Sequence, residues 1–455
     1  MAATATEDAP APRHRITTLD SGVRVVTERV PSVRSVALGF WIAAGSASEQ
    51  PAQAGISHLL EHMLFRGTER HSSEEIDQIF DAMGAEINAG TDKETTSVYS
   101  RMLDRHLEQA FDVMSEMVLR PLCSELDAER EVVLEEIAMY EDDPQDKVFD
   151  VLGEAVFGAH PLGRAVIGSA ATVAAVTREQ LLAFHGERYR PASIVIAAAG
   201  SIDHEQLAQM AARAELEGPA GRPQASAPAP AAGSAPTFAR RVRFLAKDTE
   251  QYHVCLGGGG LARDDERRFA LRVLEGVLGS TSSSRLFQEV RERRGLAYSV
   301  FSFSNMYART GEIGVYVGTR AENLKAAMTV IAAELERCVE DPASESELDR
   351  SRENLKGRVV LSMESTAARM SHIGSSVMSG LPIMSVDEVI ARVDAVDLAA
   401  VSEVARELLA PQRLSVAGVG RNRDEFLAAI EPFGGAPEEP GGTEHAQPTA
   451  PAGAR

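Results

Sequence analysis

His58, Glu61 and His62 lie in the stretch GISHLLEHMLFRGT, Gly55 to Thr68, which is otherwise almost entirely apolar. On a helix, positions i, i+3 and i+4 share a face, so the three side chains project together. Two imidazoles at that spacing can reach one divalent metal ion. A carboxylate beside them can accept a proton from the water such an ion activates. The chemistry on offer is metal-assisted hydrolysis. The alternative is a buried pair of neutral histidines satisfied by backbone or water. It is the poorer reading for three such residues on one face, because burying them without a metal leaves several polar groups to satisfy.

Catalytic zinc commonly takes three protein ligands and leaves one place for water. Cys123, Cys255 and Cys338 are far apart and lack CxxC spacing. That argues against a thiolate site or a disulfide framework, and for a reducing compartment. The third ligand is therefore sought among carboxylates, and SELDAEREVVLEEIAMYEDD (Ser124 to Asp143) offers many. Glu129, Val132, Val133 and Glu136 form one helical stripe there, while Glu131, Glu135 and Asp142 share a polar face. Glu136 is the better inward ligand and Glu129 a supporting neighbour. Periodicity alone leaves this helix equally readable as a charged, solvated surface.

Around these residues strands and helices alternate, which implies an α/β (α+β) architecture. GVRVVTERV and SVALGFWIAAGS read as strands, the second buried on both faces. Ser72 or Ser73 caps a helix that stops at Gly84, and EINAGTDKETTSVYSR alternates like a strand. Helices are predicted near 104–120, 125–142 and 145–157, then the strand SIVIAAAG and a further helix. After residue 238 come YHVCLGGGG, the helical DERRFALRVLEGVLG, strands near 296–306 and 311–319, and several more helices. Residues 217–238, rich in Ala, Pro, Gly and Ser, read as a linker. Residues 1–13 and 433–455 read as disordered. These boundaries give a metal-binding domain over 14–216 and a second domain over 239–432.

The two halves share words. SELDAEREVVLEEI (Ser124 to Ile137) can be laid on SELDRSRENLKGRV (Ser346 to Val359), and HLLEHML (His58 to Leu64) on RVLEGVL (Arg272 to Leu278). This points to an internal duplication of about 200 residues. Arg272, Gly276 and Arg358 then stand where His58, His62 and Glu136 stand in the first half, while Glu275 matches Glu61. All three proposed ligands are lost together, as expected of one metal-binding copy and one degenerate copy.

HLLEHMLFRGT, followed 74 residues after His62 by the Glu136 of EREVVLEEI, resembles the pitrilysin/insulinase family of inverted (HxxEH) zinc metallopeptidases, and its bacterial processing-peptidase branch in particular. GAEINAGTDKETTSVYS (Gly84 to Ser100) and SSRLFQEVRERRGLAYSV (Ser283 to Val300) carry the same resemblance. The resemblance implies one zinc per chain on His58, His62 and Glu136, with Glu61 as general base and Glu129 in support. It implies that Arg291 and Tyr298 stabilise the oxyanion and hold substrate backbone. Without it they would read as a surface arginine and a core tyrosine. It also implies that Asn88 and Ala89 lie on an edge strand that pairs with extended substrate. In such a fold the two duplicated domains of mixed sheet and helices form one half-shell of a clam-shell chamber. Two chains would then close it as a homodimer, with Arg291 and Tyr298 acting in trans.

The remaining features bound the reading. A net charge of −21 excludes a basic nucleic-acid-binding face as the organising feature. The first residues have no apolar core of a secretory signal, and no apolar run approaches ~18 residues, so no membrane span and a cytoplasmic location are expected. Gly257–Gly260 and Gly279–Arg285 lack Walker or Rossmann spacing and read as turns. They do not match the longer glycine-rich loop of the processing peptidase's regulatory subunit. The expected activity is a zinc endopeptidase acting on peptides or unfolded segments such as leader-like peptides. The alternatives are a non-catalytic peptide-binding or scaffolding subunit, or one subunit of an obligate heteromer.

Overall fold

A computed structural model describes residues 14–216, 235–341 and 343–435. The first part runs β1 (His14–Thr18), β2 (Arg24–Arg29), β3 (Ser35–Ile42), α1 (Ile56–Met63), α2 (Ser73–Met83), β4 (Glu86–Thr91), β5 (Thr96–Leu103), α3 (Leu107–Leu119), α4 (Leu126–Asp142), α5 (Pro144–Phe157), α6 (Ala170–Ala175), α7 (Arg178–Arg188), β6 (Ile194–Gly200) and α8 (His204–Leu216). The second runs β7 (Val242–Ala246), β8 (Tyr252–Gly260), α9 (Arg268–Leu278), β9 (Ser299–Met306), β10 (Gly311–Thr319), α10 (Ala321–Glu340), α11 (Glu345–Ser362), α12 (Thr366–Met378), α13 (Val386–Asp394), α14 (Leu398–Leu408), β11 (Ser415–Gly420) and α15 (Arg423–Ala429).

The strands form a six-stranded sheet, β1-β2-β6-β3-β5-β4, and a five-stranded sheet, β7-β11-β8-β10-β9. Beyond β1 the two orders are the same. The parallel pair β2/β6 corresponds to β7/β11, and the antiparallel pairs β6/β3, β3/β5 and β5/β4 correspond to β11/β8, β8/β10 and β10/β9. The duplication read from shared words is thus a duplication of topology.

Strand faces explain the packing. Val36, Leu38, Phe40 and Ile42 of β3 join Ile56, Leu59, Leu60 and Met63 of α1 in one core. Ala37 and Trp41, on the other face, pack with Met370, Ile373 and Val377 of α12. The second sheet does the reverse: Cys255, Tyr316, Ala417 and Val419 pack with Val148, Leu152 and Val156 of α5. Each half therefore lends one helix to the other's sheet. Period-2 alternation buries both faces of a strand only if each face finds a partner, and these two helices supply the outer layers.

The structure corrects several expectations. Glu86–Arg101 is no single strand but a hairpin, because Asp92 accepts from the backbone N–H of Glu94 and Thr95, both at 2.7 Å, and turns the chain. Gly257–Gly260 is not a turn but the end of β8. A Cβ at Gly259 would come within 2.5 Å of the Phe238 ring, so the missing side chain makes room for that aromatic. Phe238, assigned to the linker, accordingly packs there and beside Phe157. Phe433, assigned to the tail, is fully buried in the second core. Of Gly279–Arg285, read as a turn, residues 279–284 do turn and Arg285 already belongs to the helix that follows. Residues 1–13, most of the linker and most of the tail lie outside the described residues. Among the described residues no helix is long and apolar enough to cross a membrane.

Candidate metal centre

The helix α1 starts abruptly. Gly55 has φ +95°, and a Cβ there would lie 2.6 Å from the Ile167 carbonyl oxygen, so both conformation and space select glycine. Its first turn has no capping side chain of its own. Glu49 supplies one from outside: its carboxyl accepts from Gly55 N at 2.9 Å and Ser57 N at 2.8 Å. The apolar side chains of α1 are fully buried, whereas His58, Glu61 and His62 remain partly accessible along one stripe. That is why a segment apolar almost all round carries these three.

Opposite α1 lies α4. Leu126, Glu129, Val133 and Ile137 form its buried face, with Glu136 beside it. Val132, which the sequence places on the same stripe, is 48% exposed, so the inward face is rotated slightly from the expected one. Glu131, Glu135 and Asp142 are exposed as read.

The crossing of the two helices brings His58, His62 and Glu136 together, with one candidate ligand atom from each within 4.8 Å of the others. Glu136 Oε1 lies 3.7 Å from His58 Nε2, and Glu136 Oε2 lies 3.4 Å from His62 Nε2. Ligands of a tetrahedral zinc, bound at about 2.0–2.2 Å, sit about 3.4 Å apart. The donor set and its spacing fit such an ion. Burial first, then the neighbouring His62, holds His58 down at about 4, so its imidazole is neutral near pH 7, the form that ligates.

Glu129 lies directly behind His62. The His62 Nδ1–H donates to Glu129 Oε1 at 2.7 Å, which leaves Nε2 for a metal. Arg66 donates to the other oxygen, so this carboxylate, 3% exposed, is paired on both sides. Glu61 projects from the same face of α1. Burial pushes its carboxyl up, with the Thr91 hydroxyl, 2.5 Å from Oε2, pulling the other way. A carboxyl raised toward neutrality is suited to taking and returning a proton.

Asn88 and Ala89 lie on β4, which is the edge of its sheet. The Ala89 N–H donates to the Asn88 side-chain oxygen at 2.8 Å. Arg291 and Tyr298 are brought to each other, with the guanidinium 4.5 Å above the Tyr298 ring and 4.6 Å from that of Phe287. Arg291 sits in a short π-helical turn, Phe287–Glu292, and Tyr298 is 77% exposed, not a core residue. Among the described residues neither makes a hydrogen bond, ion pair or ring contact with His58, His62 or Glu136.

The second copy shows why it could not hold a metal. Gly276 stands where His62 does and Ser351 where Glu129 does. A Cβ at Gly276 would lie 2.1 Å from Ser351 Oγ, which instead donates to Val273 O at 2.7 Å. The helices α9 and α11 have closed on each other, and Arg272 pairs with Glu275 at 3.2 Å.

Sequence reasoning missed Glu49, Arg66 and Thr91. Arg66 was in principle legible, four residues beyond His62. Thr91 has the same strand parity as the half-buried Ile87 and Ala89, and nothing in the sequence singles out Glu49.

Comparisons with known proteins bear on the family of the chain. Residues 24–170 match the family model described as insulinase (peptidase family M16), and residues 175–355 match the peptidase M16 inactive domain. A Streptomyces coelicolor protein named an uncharacterized zinc protease is 43% identical over 420 residues, 91% of this chain and 91% of its own. A Bacillus subtilis protein of the same description is 39% identical over 422 residues, 92% of this chain and 98% of its own. The crystal structure of a peptidase M16 inactive domain from Pseudomonas fluorescens has a TM-score of 0.82 at 23% identity, covering 90% of this chain and 98% of that one. A protease from Helicobacter pylori has a TM-score of 0.83 at 20% identity, covering 90% and 99%. At such identities the two structures establish the fold alone, whereas the family matches and the relatives cover most of the chain. The chain belongs to the insulinase family of peptidases, family M16.

Proposed function

We propose that this protein is a zinc-dependent endopeptidase with one zinc per chain, held by His58, His62 and Glu136. The observation that carries the reading is the convergence of these three side chains at ligand spacing, with Glu129 behind His62 and Glu61 on the same helical face. When bound, the zinc supplies Lewis acidity to a water and to the scissile carbonyl. Glu61 takes the proton of the attacking water and passes it to the leaving amine. The free edge of β4 at Asn88 and Ala89 takes extended peptide as an added strand, which favours unfolded segments and leader-like peptides over folded proteins.

Arg291 and Tyr298 supply donors to the developing oxyanion. The exposure of Tyr298, with the half-buried Arg291 stacked on its ring, supports action in trans, on the site of a second copy in a homodimer. A cytoplasmic location belongs to the same reading, supported by three buried, unpaired cysteines.

The test is a mixed peptide library incubated with the zinc-loaded protein and with Glu61→Gln at matched metal content, read by mass spectrometry. Cleavage by the wild type alone is expected. Zinc-loaded wild type that leaves every peptide intact would favour a scaffolding subunit instead.

A further inference from the structure

A general base at the metal site works only if its carboxyl is held toward the proton it takes, so what orients Glu61 matters. Among the described residues its carboxyl accepts one hydrogen bond, from Thr91 Oγ1 to Oε2 at 2.5 Å. Thr91 is the last residue of β4, the edge strand, and is paired in register with Thr96 of β5. The Thr96 hydroxyl lies 3.3 Å from that of Thr91 but donates to the Ala44 carbonyl at 2.9 Å. With that proton committed, the Thr91 hydroxyl is left to donate to Glu61. A β-branched side chain in a strand has few rotamers to choose from, so the direction of this donor is set by the strand backbone.

That backbone is itself anchored. The hairpin turn after Thr91 is held by Ala47 N donating to Lys93 O at 2.7 Å, and Lys93 in turn donates to the Arg164 carbonyl. Glu94 accepts from Ala308 N at 3.0 Å and from Arg263 at 2.8 Å, both in the second half of the chain. The strand end is thus fixed to both halves of the molecule, and α1 is fixed separately through Glu49. Among the described residues Thr91 is the one side chain that bridges the edge strand to the carboxyl on α1.

We propose that Thr91 is a positioning residue for Glu61, tying the orientation of that carboxyl to the edge strand on which an extended peptide lies. The assignment rests on the reading of Glu61 as base. It follows that ordering β4 by an added substrate strand also orders the hydroxyl that fixes the base, so that loss of the hydroxyl is felt in the chemical step and not in peptide affinity.

The test uses the full-length, zinc-loaded protein and the variants Thr91→Val, which keeps the shape and removes the donor, and Thr91→Ser, which restores it. Thr91→Val should lower kcat by about tenfold or more, with KM and zinc content within about twofold of wild type, and Thr91→Ser should recover most of the loss. Unchanged kcat, a loss confined to KM, or failure of serine to rescue would overturn the proposal. A cycle that needs no activity runs alongside: Thr91→Val, Glu61→Ala and the double variant are compared by urea unfolding. A coupling of about tenfold in the unfolding constant is expected for a hydrogen bond to a carboxylate, whereas strictly additive effects would refute the contact. If the wild type cleaves nothing while the cycle shows coupling, Thr91 holds Glu61 and the peptidase reading is what has failed.

Discussion

The two ring nitrogens of His62 face different carboxylates. One faces Glu136 at the metal-binding side, and the other donates to Glu129, whose second oxygen takes Arg66. Glu129 acts on a metal only through His62, by fixing its tautomer and the angle of its ring. Removing such a partner characteristically costs 10–100-fold in metal affinity. Glu129→Gln should therefore weaken zinc binding by about that factor in competition with a chromogenic chelator, while Glu61→Gln, which alters no ligand, should bind zinc as wild type does. Equal affinity in Glu129→Gln and wild type would make the pair a packing feature only. The cluster of His58, His62 and Glu136 was legible in the sequence for a physical reason. His58 and His62 obey helical spacing, and the degenerate copy loses them together with Glu136. Thr91 and Glu49 were not legible, because their bonds cross from a strand and a loop to a helix, and no periodicity encodes such a contact.

At the scale of elements, the capping of α1 by Glu49 gives the site a pH dependence of its own. Burial is the largest influence on this carboxyl and pushes it up to about 7; the N–H donors of Ser57 and Gly55 and the charge of Arg164 pull it down and lose. The folded chain therefore holds this proton more tightly than the unfolded chain, whose value is near 4.5. The stabilising contribution is fully present below about pH 4.5 and is lost as pH rises through about 7, a change of about 3 kcal/mol. Urea unfolding of the wild type and of Glu49→Gln across that window should show the wild type losing about this much relative to the variant. A constant difference would mean that the cap stays ionised throughout. Most elements were foreseeable from pattern: α2 begins at Ser72 with a capping box and ends on a left-handed Gly84, as its residues specify. The β4–β5 hairpin was missed because its turn, Asp92-Lys93-Glu94-Thr95, carries no glycine or proline. The end of β8 was missed because four glycines ordinarily argue against a strand, and the groups that crowd them, Leu152 at Gly257, the Phe238 ring at Gly259 and the Glu312 backbone at Gly260, are remote in sequence.

Across the whole molecule, the exchange of α5 and α12 makes the two halves one packing unit, and this was invisible in a sequence whose linker divides it so evenly. The single tryptophan, Trp41, lies under α12, so the outer face of the first sheet depends on a helix from the second half. The same economy extends, in the proposed function, to a second chain. The Arg291–Tyr298 pair and the zinc ligands then belong to one site only when two copies meet, and a two-fold dimer has two such sites. Glu61→Gln keeps a competent Arg291, and Arg291→Ala keeps a competent Glu61. Each variant alone should be inactive or nearly so. In a random mixture half the dimers are mixed, and in each of these one site combines an intact Glu61 with an intact partner arginine. Mixing should therefore restore about a quarter of wild-type activity, measured on a peptide substrate after subunit exchange is verified by native mass spectrometry. Action within one chain predicts no recovery, since every site would then carry one lesion or be formed from residues that never separate. Verified mixed dimers that stay inactive would thus return Arg291 and Tyr298 to their own chain or to a different role, and leave the metal centre unaffected.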